Sequence, residues 1–185
     1  CVCHAGTLGP TTQPAAAAIA MRYLPAGTAR NTNVPSAAGV AEIGNALTIY
    51  RRTWTVASSA ADLTGRTRTV STTDLQDIVA ASSSILTPYP TQPLKIVLSS
   101  VVADQNNTGK VTWSYSNKGA GRATNSAYPV PAGLTEPNSS VIVAEITYAF
   151  TPLVDLKTFF SPGSFDMKRT FYARPRRSLA VAKTN

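Results

Sequence analysis

The stretch from Gly39 to Gly65 places the strongest constraint on how this chain can fold. Its apolar residues recur at alternating steps of three and four, which puts them on one side of an α-helix. Ser36 fits an N-cap and Gly65 fits a C-cap. The spacing predicts a long N-terminal amphipathic helix that either packs only on its own domain or also packs against other subunits. The apolar side, called here the seven-residue stripe, consists of Val40, Ile43, Leu47, Tyr50, Trp54, Ala57 and Ala61.

A second helix is predicted directly after a basic turn. Ser71 is a plausible N-cap, and Asp74 and Asp77 lie near the positive end of the helix dipole. Three prolines from Pro88 to Pro93 then end helical structure. The apolar face of this helix is predicted to contain Leu75, Ile78, Val79, Ile85 and Leu86.

From Leu94 onward the period of the apolar residues changes to two, which is typical of β-strands. The first two alternating segments flank an Asn- and Gly-bearing turn, which predicts an antiparallel hairpin. The sequence therefore predicts an α+β fold in which both helices pack on a four-stranded antiparallel sheet. The four predicted strands are residues 94–99, 111–115, 141–150 and 165–172.

The chain is predicted to contain one domain with two flanking segments. Residues 1–35 are rich in Ala, Thr, Gly and Pro and are predicted to form an extended or poorly ordered arm. Residues 36–178 form the α+β domain, and residues 179–185 are predicted to be a C-terminal tail. At 185 residues the chain is long enough for one domain with an ordinary core.

Catalysis and cofactor binding are not expected from these residues. The only histidine is His4, so a Ser-His-Asp or Cys-His arrangement within residues 36–178 is excluded. Cys1 and Cys3 lie too close together for haem attachment or for a zinc site of ordinary spacing. The carboxylates are scattered, and no glycine-rich phosphate loop is present. The sequence predicts a protein that is not an enzyme, with no cofactor, no metal and no small-molecule substrate.

Basic residues give the chain a net charge of +8, which would attract nucleic acid, anionic lipid or an acidic partner. Phe171 and Tyr172 lie between the basic residues near the C-terminus and could in principle stack on bases. The alternation is better explained by a strand that buries aromatic residues and exposes arginines. A nucleic-acid-binding basic protein is therefore the third hypothesis, and no nucleic acid is expected as a partner.

Five segments, in their order along the chain, resemble the TadE/TadG-like proteins. These are minor pilin-like components of the tight-adherence (Tad, or Flp) pilus machinery. The resemblance covers about residues 38–178, and its most specific pieces are an aromatic strand ending in Thr-Pro-Leu and a terminal Tyr-x-Arg-Pro-Arg. The segments are AEIGNALTIYRRTWTVASSAADLTGR, ILTPYP, GKVTWSYSN, VIVAEITYAFTPL and FYARPRRS.

The resemblance implies a bacterial cell-envelope protein with a periplasmic or extracytoplasmic α+β domain, associated with the inner membrane and without catalysis. In the family, a hydrophobic span directly precedes the segment that matches Gly39. Here the residues before Gly39 read ARNTNVPSAA, which cannot span a bilayer. Membrane association would therefore need an anchor outside this sequence or a lipid on Cys1.

The leading hypothesis is a structural protein of pilus assembly, a pseudopilin-like subunit that acts through protein–protein contacts. The alternative is an accessory or scaffold subunit of another envelope complex. In either case the expected partners are other protein subunits of an envelope assembly or filament. The predicted assembly interface combines the seven-residue stripe with Arg174, Arg176 and Arg177.

Overall fold

A computed structural model describes residues 37–152 and 164–184 of this chain. The predicted arm over residues 1–35 and the Ser36 cap lie outside the described residues. Within the described part, two helices and seven strands form a mixed α+β domain, which confirms the predicted fold class. The helices are α1 (Ala37–Gly65) and α2 (Thr72–Ser83), with a short 3₁₀ turn at Ser84–Leu86. The strands are β1 (Thr69–Val70), β2 (Leu94–Ala103), β3 (Gly109–Ser116), β4 (Ala127–Tyr128), β5 (Ser140–Phe150), β6 (Phe165–Ala173) and β7 (Ala182–Lys183).

The main sheet has five antiparallel strands in the order β4-β3-β2-β5-β6, so the predicted count of four was wrong. The fifth strand is β4, whose residues Ala127 and Tyr128 pair with Lys110 and Gly109 of β3. A two-residue strand carries too few alternating positions to be recognised from a sequence. The four long strands correspond to the four predicted ones, and β2 and β3 form the predicted hairpin.

A β-bulge in this hairpin changes which residues of β3 share a face. Ser100 pairs with Trp113, but the next residue, Val101, pairs with Val111, so Thr112 is the extra residue. Trp113 therefore belongs to the core beneath the helices, while Val111 belongs to a smaller cluster on the other face of the sheet. The uniform alternation expected over residues 111–115 was wrong at this point.

The C-terminal residues are part of the domain, which corrects the predicted tail over residues 179–185. Val181 is buried, and its carbonyl oxygen accepts a hydrogen bond of 2.7 Å from Trp113 Nε1. Strand β7 then pairs in parallel with β1, with Thr69 opposite Ala182. A separate two-stranded sheet thus ties the end of the described chain to the turn between the helices.

The face of α1 that enters the core consists mainly of small residues. Side chains without long branches allow the helix backbone to approach the sheet closely, and β5 and β6 are the strands it packs on. The buried positions of α1 are most frequent in its C-terminal half. The buried side chains of the helix are Glu42, Ile49, Thr53, Val56, Ala57, Ala60, Ala61 and Thr64.

Helix α2 begins with the predicted cap. Ser71 Oγ accepts a hydrogen bond from the Asp74 amide, and Asp74 accepts one of 2.8 Å from the Ser71 amide, so both halves of a capping box are present. Leu75, Val79 and Leu86 are buried, as the apolar spacing predicted.

The capping box makes part of the stability dependent on pH. Hydrogen bonds from the Ser71 backbone and side chain lower the pKa of Asp74 from its ordinary value of 3.8. A lowered pKa in the folded state stabilises the protein above pH 3.8, and this contribution is lost as the pH falls through the lowered value. Asp74→Asn should therefore flatten the acid limb of a plot of the urea midpoint against pH. Asp77→Asn is the matched control, because Asp77 takes no part in the capping box, and an unchanged acid limb in Asp74→Asn would contradict this account.

Candidate functional site

Five large apolar side chains of α1 face solvent in the described structure. Their exposed fractions run from 39% for Tyr50 to 56% for Val40, although each belongs to a helix that packs on a core. Monomeric proteins rarely leave a contiguous row of large apolar residues uncovered unless the row contacts a partner. This row, the exposed stripe, comprises Val40, Ile43, Leu47, Tyr50 and Trp54, and it is the candidate functional site.

The fold buries the C-terminal end of the seven-residue stripe and leaves its N-terminal end exposed. Ala57 and Ala61 are fully buried, so they are core residues and not part of an accessible interface, which corrects their assignment. Residues spaced by 3.5 drift slowly around an α-helix of 3.6 residues per turn. The C-terminal end of the stripe consequently turns into the core, while its N-terminal end stays on the surface.

The exposed stripe lies on the side of α1 above β6. The Trp54 ring meets the Phe171 ring edge to face, with centroids 5.5 Å apart. The Arg169 guanidinium lies 3.8 Å from the centre of the Tyr50 ring, a cation–π contact that also reaches Trp54 at 5.8 Å. These contacts fix the two aromatic rings in place, because each ring is held from below by a β6 side chain.

An apolar groove of about 270 Å³ continues from the exposed stripe toward the end of the sheet. Its helix side is formed by Glu42, Ile43, Ala46, Leu47 and Tyr50, and its strand side is formed by Phe150, Phe165 and Met167. Phe165 is 40% exposed and packs against Phe150 at 5.3 Å between ring centroids. The groove widens the exposed stripe into a continuous apolar surface shared by α1 and β6.

The arginines of the predicted interface lie at the other end of β6. Arg176 Nη2 contacts Asp62 Oδ1 at 2.6 Å, and Asp62 also binds Arg66. Arg174 donates hydrogen bonds to the carbonyl oxygens of Leu134 and Gly133. Of the three predicted arginines, only Arg177 is exposed without a hydrogen bond or ion pair within the described residues. The structure therefore gives Arg174 and Arg176 a role in holding the C-terminal segment to the domain.

The opposite face of the sheet carries a polar cluster. Arg122 makes two short bonds to Glu145, of 2.6 and 2.5 Å, and stacks over the Tyr128 ring at 4.6 Å. The hydrogen bond to Glu145 raises the pKa of Arg122, and burial raises the pKa of Tyr128 above its ordinary range. Because the charges are matched, this face is better suited to securing the loop that holds Arg122 than to binding a charged ligand.

The described residues contain no group of three or more His, Cys, Asp or Glu side chains that could hold a metal ion. In the same part of the chain, no helix combines the length and hydropathy needed to cross a bilayer. The surface formed by α1 and β6 presents apolar and aromatic groups, which suit contact with another macromolecule.

Comparisons with protein-family models, with curated proteins and with solved structures found no match for this chain. The TadE/TadG-like resemblance accordingly stays a prediction from the sequence segments given above.

The groove residues from the strands were not part of the predicted interface. Phe165, Met167 and Phe171 occupy alternate positions of the strand predicted over residues 165–172 and therefore share one face, on which Met167 is buried. The signal in the sequence is Phe165, an aromatic residue at the start of a predicted strand and two residues before Met167. Its position beside α1 depends on the pairing of β6 with β5, which no local pattern specifies.

Proposed function

We propose that this chain is a non-enzymatic structural subunit of a bacterial cell-envelope assembly, a TadE-like component of pilus biogenesis that acts through protein–protein contacts. The observation that carries the proposal is the exposed stripe on α1. The protein is proposed to be periplasmic or extracytoplasmic and associated with the inner membrane.

The composition of the exposed stripe supports a protein partner. Trp and Tyr are enriched at the centres of protein interfaces, where large rings bury much area with few rotatable bonds. Each Å² of apolar surface removed from water contributes about 25 cal/mol to association, before the cost of lost motion. Trp54 and Tyr50 are already held by Phe171 and Arg169. Less side-chain entropy is therefore lost when a partner covers them.

A charge placed within the exposed stripe tests the proposal. Leu47 is at the centre of the stripe and is 53% exposed, so Leu47→Arg should leave folding intact while it disrupts a contact that buries this position. In cells that lack the native gene, the variant should restore few or no surface pili, counted by electron microscopy of negatively stained cells.

The matched control is Ala41→Arg, which adds the same side chain at an exposed position of the same half of α1, away from the exposed stripe. It should restore pili as well as the unmodified chain does. Equal thermal melts of the two variants, at a concentration where both are monomeric, would show that folding is preserved. Normal pili on cells that carry neither the native gene nor a variant, or pili restored by Leu47→Arg, would overturn the proposed function.

A further inference from the structure

Strand β6 is an edge of the main sheet. In the order β4-β3-β2-β5-β6 it pairs with β5 on one side only, and within the described residues no other backbone segment pairs with its outer side. Such an edge presents unpaired N–H and C=O groups in a row, which is a template for adding a strand. The edge runs from Phe165 to Ala173 without proline, and its first five residues, Phe165–Arg169, form the pairing proposed next.

We propose that β6 pairs antiparallel with β6 of a second copy of this chain, in a register centred on Met167. The two five-stranded sheets would then join into one sheet of ten strands about a two-fold axis. This inference deepens the proposed function and rests on it, because it names a second copy as the partner of the exposed stripe.

The charges of β6 select this register. Asp166 and Lys168 lie on the sheet face away from α1, both are exposed, and they flank Met167. A register centred on Met167 places Asp166 opposite Lys168 of the second copy, and does so twice because of the symmetry. Opposite charges in cross-strand positions are stabilising, and like charges there are destabilising. Centring the pair on Lys168 or on Arg169 would instead place two identical cations opposite each other.

The spacing of the layers agrees with the same arrangement. Helix α1 packs over β5 and β6, so its axis lies between these two strands. Paired strands are about 4.8 Å apart, which puts the two α1 axes about 10 Å apart across a β6–β6 junction. Packed helices have interaxial distances of about 8–10 Å. Joining the edges would therefore bring the two helices into contact along the sides that face each other.

The two-fold axis of the proposed β6–β6 pairing passes near the centre of the exposed stripe. Leu47 is the middle member between Val40 and Trp54, and it lines the groove together with Met167. A two-fold axis at Met167 would set Leu47 near Leu47 of the second copy and would bring Ile43 toward its Tyr50. A register centred on Thr170 also avoids like charges, but it moves the axis toward Trp54, at one end of the stripe. Only the Met167 register covers the whole stripe.

Charge reversal on β6 tests the pairing in the full chain under reducing conditions, with mass measured by sedimentation equilibrium. The unmodified chain is expected to be a dimer. Lys168→Glu and Asp166→Lys should each convert two attractive pairs into two repulsive ones and raise the dimer dissociation constant about ten- to a hundredfold. The double variant, D166K with K168E, should restore the dimer because the opposite charges meet again.

Lys118→Glu is the control, since it makes the same charge change at an exposed loop position outside β6, and it should leave the dimer unchanged. A monomeric unmodified chain would overturn the inference, as would a dimer that is indifferent to both single changes or is not restored by the double one. A monomer whose Leu47→Arg variant still fails to support pili would leave the proposed function standing and remove only the second copy as partner.

Discussion

Ile146→Ala is expected to lower the free energy of unfolding by about 2–5 kcal/mol, the usual range for removing a large aliphatic side chain from a packed core. Ile146 is in the middle of β5, the strand that pairs with both β2 and β6, and it is buried beneath the helices. The loss combines the transfer of the missing methylenes and methyl with the cavity left behind. Urea denaturation followed by circular dichroism measures it directly.

Leu47→Ala provides the matched comparison, because it also shortens a large aliphatic side chain but does so in the exposed stripe. Measured at a concentration where the chain is monomeric, the free energy of unfolding is expected to change by no more than about 0.5 kcal/mol, as is usual for surface substitutions. Equal losses in the two variants would show that the stripe is a covered part of the core, and the case for an accessible interface would fail.

Gly109→Ala is expected to destabilise the domain by about 1–3 kcal/mol, the typical cost of forcing extra volume into a packed site. A Cβ at this position would lie 2.7 Å from the Tyr128 carbonyl oxygen and within 2.9 Å of the Val130 and Val101 side chains. Gly109 begins β3 where β4 pairs with it, so its missing side chain allows β4 to fit against the sheet. The urea midpoint again provides the measurement.

Gly44→Ala is the control, and it is expected to change the stability of the domain in the opposite direction. Gly44 is exposed within α1, and an added Cβ there would meet nothing within 4 Å. Alanine is favoured over glycine in a helix interior by about 1 kcal/mol, so this variant should be more stable than the unmodified chain. A loss of stability in Gly44→Ala, or none in Gly109→Ala, would contradict the packing described for these two glycines.

Local sequence signals predicted much of the secondary structure. Ser71 and Asp74 lie three residues apart, and the capping box they form needs no contact from elsewhere in the chain. The alternating burial over residues 144–150 likewise follows from one face of β5 being buried beneath helices, whereas Val141 and Val143 are buried on the other face of the sheet. Such features could be predicted because their physical cause lies within a few residues of the pattern.

Features that depend on distant partners could not be predicted in this way. The bulge at Thr112 shows only in the register of β3 against β2. The C-terminal segment joins the domain because Trp113 bonds to Val181, which lies 68 residues further along the chain. The open edge at β6 is a property of the strand order, and any of the four long strands could have occupied it.

The helix over Gly39–Gly65 shows where the sequence alone was sufficient and where it was not. Its apolar spacing determined an α-helix, since steps of three and four match one helix face. The same helix contains two apolar rows. One consists of large side chains from Val40 to Trp54, and the other consists of small side chains near the C-terminal end. The tertiary structure decided that the small row enters the core, because α1 must approach β5 and β6 closely to fill the space above them. The large row was left on the surface for that reason, and there it forms the candidate interface.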